Sequence, residues 1–163
     1  MENVFNISWS NSVKIISWMT GLLLIGIGYL IIAKISELST WVLSTFSIVL
    51  LLSVYFVLQA PMSLKLSDDK LIISKLVGMK IILYSDIEKI EAYEDYHSDI
   101  RLMGNGGFLG YTGLFRNKEL GKYTAFVGNY SQAFYIRTKS GKTYVTSCER
   151  REEIIRLIRQ KCH

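Results

Sequence analysis

Two long uncharged stretches in the first third of the chain constrain its fold more than any other feature. They cover residues 15–33 and 38–63 and are separated only by Lys34-Ile-Ser-Glu37. The first has 19 residues, so as a helix it spans about 29 Å, close to the ~30 Å hydrocarbon core of a bilayer. A chain of 163 residues is too short to enclose two helices that are apolar on every side. The pattern therefore predicts a transmembrane hairpin, with spans at about residues 15–33 and 41–60.

The distribution of Lys and Arg predicts the orientation of this hairpin. Residues 1–60 contain only Lys14 and Lys34, whereas residues 61–163 contain the other 17 basic residues and 12 acidic ones. Cytoplasmic segments beside transmembrane helices carry an excess of Lys and Arg. We therefore expect a multi-pass protein of the cell inner (cytoplasmic) membrane, with both termini in the cytoplasm.

The composition of the spans indicates an anchor. Neither span contains Asp, Glu, Lys, Arg or His, and such residues inside a bilayer usually mark an ion or proton path. This argues against a transporter or a channel. We interpret residues 1–60 as an N-terminal segment with its membrane hairpin, and residues 61–163 as a cytoplasmic domain that begins at Pro61, the only proline.

The cytoplasmic part contains short segments rich in Ile, Leu and Val, bounded by turn residues, as in β-strands. They predict seven strands: those at residues 62–66, 71–76, 80–84, 122–127, 132–138 and 143–146, and one that follows a possible helical turn at residues 85–90 and ends near Tyr93. A closing helix is predicted at residues 149–161, where Ile154, Leu157 and Ile158 recur at helical spacing. The predicted fold class is an α+β membrane protein: a two-helix transmembrane hairpin, then a seven-stranded antiparallel β-barrel or sandwich capped by a C-terminal α-helix.

The segment 101–123 carries a glycine and aromatic motif. It reads Gly-x-Gly-Gly-Phe-x-Gly-Tyr-x-Gly from Gly104 to Gly113, followed by Phe115-x-Asn and Gly121-x-Tyr. The motif resembles the signature of the bacterial pleckstrin-homology-like domain family, and the resemblance covers about residues 61–161. It implies the pleckstrin-homology fold and supplies no established catalytic residues. Membrane hairpins commonly precede similar domains.

Three interpretations of this segment stay open. The glycines permit tight turns, so the segment could be a compact, convoluted loop that caps the barrel. Its backbone N–H groups could bind a phosphate, although the strand-glycine-helix context of a dinucleotide site is missing. Alternatively, its aromatic and apolar side chains dip into the headgroup layer while nearby cations meet anionic lipid headgroups. The candidate partner-binding or lipid-binding residues are Arg101, Phe108, Leu109, Tyr111, Arg116, Lys118 and Lys122.

The sequence offers no catalytic constellation. Acidic residues and tyrosines alternate between residues 91 and 99, which is typical of a solvated loop. Neither His97 nor Cys148 has a recognisable partner for nucleophilic catalysis or metal binding. We expect reduced cysteines, no enzyme activity, no cofactor and no metal. Nucleic acid is not an expected partner either, because the cations are mixed with acids rather than arranged in a stripe.

These observations predict a membrane-anchored binding or assembly module at the cytoplasmic face. The expected partner is a lipid headgroup, a segment of another protein, or another copy of the same chain that pairs with an exposed strand edge. The alternative is a non-catalytic accessory subunit of a membrane complex, held mainly through its transmembrane hairpin.

Overall fold

A computed structural model describes residues 3–34 and 37–162. The helices are α1 (Asn11–Ala33), α2 (Thr40–Leu58) and α3 (Arg151–Lys161). The strands are β1 (Asn3–Asn6), β2 (Pro61–Leu66), β3 (Lys70–Lys75), β4 (Met79–Leu83), β5 (Ile87–Ala92), β6 (Ile100–Gly106), β7 (Tyr111–Asn117), β8 (Gly121–Val127), β9 (Ala133–Thr138) and β10 (Thr143–Ser147). Short 3-10 turns lie at Tyr84–Asp86, Tyr96–Ser98 and Tyr130–Gln132.

Helices α1 and α2 are long and apolar enough to cross a membrane, with mean hydropathy of 2.2 and 2.3. The most apolar part of each helix is not buried by the rest of the protein, so neither is the core helix of a soluble domain. Three serine hydroxyl groups of α2 are satisfied within the helix: Ser44, Ser47 and Ser53 each donate to the carbonyl four residues earlier, at 2.8–2.9 Å. These features suggest a membrane association.

The strands form two sheets that do not close into a barrel. One sheet has the order β1-β2-β3-β4 and the other β5-β9-β10-β8-β7-β6. The prediction of seven antiparallel strands was therefore wrong in two respects. There are ten strands in the described residues, and β8 and β10 pair in parallel because the chain crosses from one to the other through β9. The two sheets face each other as in a sandwich.

Three strands were missed by the sequence analysis. Strand β1 pairs with β2, with Phe5 opposite Leu64, although the two apolar helices separate them in sequence. Strands β6 and β7 occupy the glycine motif, which forms a hairpin, so the interpretation of this segment as a compact, convoluted loop was wrong. Gly104 lies opposite Gly113, and a Cβ atom at Gly104 would fall 2.2 Å from the carbonyl oxygen of Thr112. The glycines therefore allow two strands to approach closely.

The main core lies between the two sheets and under α3. It combines Phe5 and Ile7 from the N-terminal segment with residues from both sheets, and with Ile154 and Ile158 of α3. Helix α3 begins two residues later than predicted, but its apolar face is buried as expected. A second cluster covers the other face of the six-stranded sheet and is rich in tyrosine.

Candidate functional site

The tip of the β6–β7 hairpin rests against the beginning of α1. The N–H of Leu109 donates to the Ser17 hydroxyl at 2.8 Å, and the side chain of Ile16 lies over Gly107, where a Cβ atom would come within 3.0 Å of it. Leu109 has a φ of 58°, which costs a non-glycine residue about 1–2 kcal/mol. The tip therefore depends on bonds from outside its own backbone.

Asn105 folds the hairpin tip from within. Its side-chain amide donates to the carbonyls of Phe108 and Gly110, the second at 3.1 Å, and its Oδ1 accepts the N–H of Phe108 at 3.2 Å. Asn105 is buried, so these bonds replace those that water would make. Phe108 and Leu109 are thus held half-exposed beside α1.

The β3–β4 turn contacts the end of α2 in a similar way. The N–H of Val77 donates to the carbonyl of Leu58 at 3.0 Å, and the N–H of Leu76 donates to that of Ala60 at 2.9 Å. The side chains of Leu76, Val77 and Met79 are 51%, 56% and 60% exposed. Two apolar turns, one beside each helix, therefore flank the helix pair where it joins the sheets.

The structure separates the predicted binding residues into two groups. Phe108 and Leu109 form the tip, and Tyr111 follows it. Arg101 extends towards the tip, with its guanidinium where a Cβ atom of Gly106 would lie.

The remaining predicted cations lie at the other end of the hairpin. Arg116 pairs with Lys122 across β7 and β8, and Lys118 is in the turn that follows. Arg116 is five residues beyond Tyr111, or about 17 Å along the strand. Arg101 lies opposite Phe115 at this end of the hairpin, and its side chain extends from here towards the tip. A binding role for each of these residues stays a prediction.

A cleft of 390 Å³ on the outer face of the six-stranded sheet was not identified from the sequence. We call it the tyrosine cleft. Its lining consists of Ser10, Ser12, Tyr96, His97, Asp99, Tyr111, Phe115, Asn129, Tyr130 and Ser131. The alternation of tyrosines and acids between residues 91 and 99 was a signal, but it was interpreted as a solvated loop.

Aromatic rings form much of the cleft. Tyr96 and Tyr130 stack with centroids 5.2 Å apart and planes 18° apart. Tyr111 meets Tyr130 edge to face at 4.9 Å. Three separate segments contribute these rings, namely the turn at Tyr96–Ser98, strand β7 and the turn at Tyr130–Gln132. The sheet therefore brings together tyrosines that are distant in sequence.

The carboxylate of Asp99 lies at the floor of this cleft. It accepts hydrogen bonds from the hydroxyls of Tyr93 and Tyr123, the second at 2.5 Å, and from the side-chain amide of Asn117 at 2.8 Å. Burial raises the pKa of Tyr93, Tyr123 and Tyr130 above its usual value, assisted at each by the charge of Asp99. These phenols stay protonated near neutral pH and remain hydrogen-bond donors.

Asn117 connects the floor of the cleft to its rim. It is buried, and its amide also donates to the backbone carbonyl of Asp95 and to the hydroxyl of Ser98, both at 2.8 Å. Its carbonyl oxygen accepts the N–H of Glu119 at 2.7 Å. The turn that carries Tyr96 is thereby fixed to the end of β7.

The described residues contain no group of three or more His, Cys, Asp or Glu side chains that could hold a metal ion. Both cysteines are free. Burial raises the pKa of the Cys148 thiol to about 11, so this thiol is a poor nucleophile at neutral pH.

The outer strand β6 is unusually apolar for an edge. It is the last strand of its sheet, and Ile100, Leu102 and Met103 are each exposed. Strand β4 is the corresponding edge of the other sheet, with Met79, Ile81 and Leu83 exposed. Such edges can pair with a strand from another chain.

Comparison with known proteins gives one match. The family model described as a bacterial PH domain matches residues 62–162. This confirms the resemblance seen in the glycine and aromatic motif. No curated protein and no solved structure matches the chain.

Proposed function

Because the chain belongs to the bacterial PH domain family, we propose that it is a membrane-anchored binding module whose domain lies against the cytoplasmic face of the bilayer. The family is generally non-catalytic, which favours binding over catalysis. Helices α1 and α2 cross the inner membrane in this proposal, and both termini are cytoplasmic. Its partner is a lipid surface, a protein segment or another copy of the chain.

The observation that carries the proposal is the short connection between the helices and the sheet. Strands β1 and β2 pair directly, and their ladder continues to the N–H of Ile7, which donates to the carbonyl of Met62 at 3.0 Å. Only residues 8–10 then precede α1, and only residues 59–60 follow α2. A flexible tether would need a longer unpaired linker.

These short connections are themselves bonded to the domain. The N–H of Ser10 donates to the carbonyl of Gly128 at 3.1 Å, and the Ser8 hydroxyl donates to the side chain of Gln132 at 2.7 Å. On the other side, Lys75 donates to the side chain of Gln59 at 2.6 Å. The domain is therefore held in one orientation relative to the helix pair.

This orientation favours membrane contact by the two apolar turns. Leu76 and Val77 lie beside the end of α2, and Phe108 and Leu109 lie beside the second turn of α1. When the helices span a bilayer, all four side chains are at the level of the headgroups. Apolar side chains at this level contribute by burial, at roughly 25 cal/mol per Å².

Spin labels test this arrangement in lipid nanodiscs. Labels at Val77→Cys and Leu109→Cys, in a Cys162→Ser background, are expected to be more accessible to oxygen than to a water-soluble nickel chelate. Lys142→Cys is the matched control, since it is exposed in the β9–β10 turn at the opposite end of the sheet. Water-like accessibility at both turns would contradict the proposed orientation.

A second candidate function is the accessory subunit held through its helices. A groove between α1 and α2 favours it, because Leu24, Ile27, Trp41, Val42 and Phe46 line an apolar space of 400 Å³ that a transmembrane segment of a partner could fill. Replacing α1 and α2 by an unrelated hairpin distinguishes the two functions. Partners that still co-purify in mild detergent depend on the domain, and partners that are lost depend on the helices.

A further inference from the structure

The tyrosine cleft carries a negative charge without a positive partner. Each described hydrogen-bond donor to Asp99 is neutral, namely two phenols and one amide. In the described part of the chain Asp99 makes no ion pair. The cleft lining contains neither Lys nor Arg, and its one basic side chain, that of His97, lies against the Tyr96 ring at 4.3 Å. A carboxylate has about four acceptor positions, so the three donors leave room for one more contact.

The walls of the cleft reinforce this charge. The faces of aromatic rings carry the negative part of a quadrupole and attract cations that lie within about 6 Å of the ring centre. Tyr96, Tyr111 and Tyr130 present three rings within about one ring diameter of each other, with neighbouring centroids 4.9 Å and 5.2 Å apart. Because Tyr96 stacks on Tyr130, a cation does not fit between these two rings, and it contacts the three-ring cluster from the side that lines the cleft.

We propose that the tyrosine cleft binds an organic ammonium group, with the Asp99 carboxylate as its counter-charge and the rings of Tyr96, Tyr111 and Tyr130 as its walls. The cavity of 390 Å³ accommodates a trimethylammonium or ethanolammonium group. Inorganic cations such as sodium are disfavoured, because three aromatic rings do not replace their hydration shell. The shape and chemistry instead suit a cation that is large and weakly hydrated.

The position of the cleft identifies two sources for this group. Ser10 and Ser12 also line the cleft, as the N-cap and a first-turn residue of α1. The partial positive charge of a helix N-terminus disfavours a cation there, so the ammonium group lies on the Asp99 side. If α1 spans the bilayer, the cleft is at headgroup level and the source is a zwitterionic phospholipid. This lipid source rests on the proposed function, whereas binding of a free amine such as choline does not.

Titration of the full chain in a non-ionic detergent tests the cleft directly. Choline chloride is added while backbone NMR resonances are followed, with sodium chloride at equal ionic strength as the control. We expect saturable shifts at Tyr96, Tyr111 and Tyr130, with a midpoint in the millimolar range, and none with sodium. The absence of saturable shifts in the folded protein would overturn the proposal.

Two variants separate binding from folding. Tyr96→Leu removes one wall from a half-exposed turn and is expected to raise the choline midpoint about fivefold. Asp99→Asn removes the charge and is expected to abolish saturation. Tyr29→Leu, which removes an exposed tyrosine from α1, is the matched control and leaves the midpoint unchanged. If Asp99→Asn does not fold, an unchanged midpoint in Tyr96→Leu is sufficient to reject the site.

Nanodiscs distinguish the sources. Phosphatidylcholine or phosphatidylethanolamine nanodiscs should reproduce the choline shifts, whereas discs of phosphatidylglycerol alone should not. Shifts with free choline but not with zwitterionic lipid support the ammonium site and assign it to a soluble amine. Choline binding together with water-like spin labels at both apolar turns would contradict the proposed membrane orientation and leave the ammonium site standing.

Discussion

Replacing Ser17 by alanine tests whether the β6–β7 hairpin is fixed to α1. The Ser17 hydroxyl accepts the N–H of Leu109 at 2.8 Å and donates to the carbonyl of Val13 at 2.7 Å. Alanine removes both bonds. The second bond lies within the helix, so its loss is largely offset by the higher helix propensity of alanine, worth about 0.5 kcal/mol. The first bond has no such compensation.

The expected magnitude follows from the environment of Leu109. Leu109 is half-buried, so water can partly replace the lost bond to its N–H. The expected loss of local stability is about 1 kcal/mol. Leu109 also has a φ of 58°, which favours opening of the tip once the bond is gone. One kcal/mol corresponds to roughly a fivefold faster local exchange of the amide hydrogen.

Hydrogen exchange at the Leu109 amide, measured in nanodiscs, is the appropriate assay because it reports on this bond alone. A global unfolding measurement would also include the change in helix propensity at residue 17. Ser53→Ala is the matched control, since the Ser53 hydroxyl donates only within α2, to the carbonyl of Val49 at 2.8 Å. Ser17→Thr keeps an acceptor oxygen and should retain protection. An exchange rate for Ser17→Ala within twofold of the wild type would refute the docking of the tip on α1.

Three further predictions concern the stability of the domain, measured by unfolding of the full chain in detergent. The buried hydroxyl of Thr112 has no hydrogen-bond partner in the described residues, so Thr112→Val should stabilise the domain by about 1 kcal/mol. The control Thr146→Val loses a 3.0 Å bond and should destabilise it by a similar amount. Equal effects of the two substitutions would contradict this prediction. Gly104→Ala should lower the free energy of unfolding by about 3 kcal/mol or more, because the new Cβ would lie 2.2 Å from the backbone oxygen of Thr112. Gly141→Ala, where the new Cβ meets no other atom within 4 Å, should lower it by about 1 kcal/mol. The pKa of Cys148 is raised from 9.0 to about 11 by burial, so the folded state holds this proton more tightly. The contribution of the protonated Cys148 to the free energy of unfolding is complete below pH 9 and declines as the pH rises towards 11. The Cys148→Ala variant should lack this pH dependence.

The sequence was sufficient to predict the elements whose patterns are local. The two apolar helices, the seven strands that were predicted and the amphipathic helix ending near Lys161 all appear within a few residues of the expected positions. Helix α2 ends at Leu58 rather than at residue 60 because Ala60 already bonds to the β3–β4 turn. Periodicity predicts such elements because each one shows its buried face in a single continuous stretch.

The tyrosine cleft could not be predicted in the same way. Its rings come from three segments, and the pairing of β7 with β8 and the parallel pairing of β8 with β10 decide which of them meet. The β6–β7 hairpin was concealed for a different reason. Strand propensity is low for glycine, so Gly104, Gly106 and Gly113 indicated a loop, although opposed glycines allow close strand pairing.

Strand β1 illustrates how the two apolar helices take part in the fold. Phe5 and Ile7 belong to the same core as Leu64 and are at most 7% exposed. Closing a loop of more than fifty residues between two strands normally carries an entropic cost that grows with its length. The helix pair returns the chain to the sheet, because α1 begins at Asn11, shortly after β1, and α2 ends at Leu58, shortly before β2. Strands β1 and β2 can therefore meet after little further ordering. A domain cut at residue 61 would lose both side chains from its core and leave the edge of β2 unpaired. The helix pair is therefore the connection that completes the four-stranded sheet.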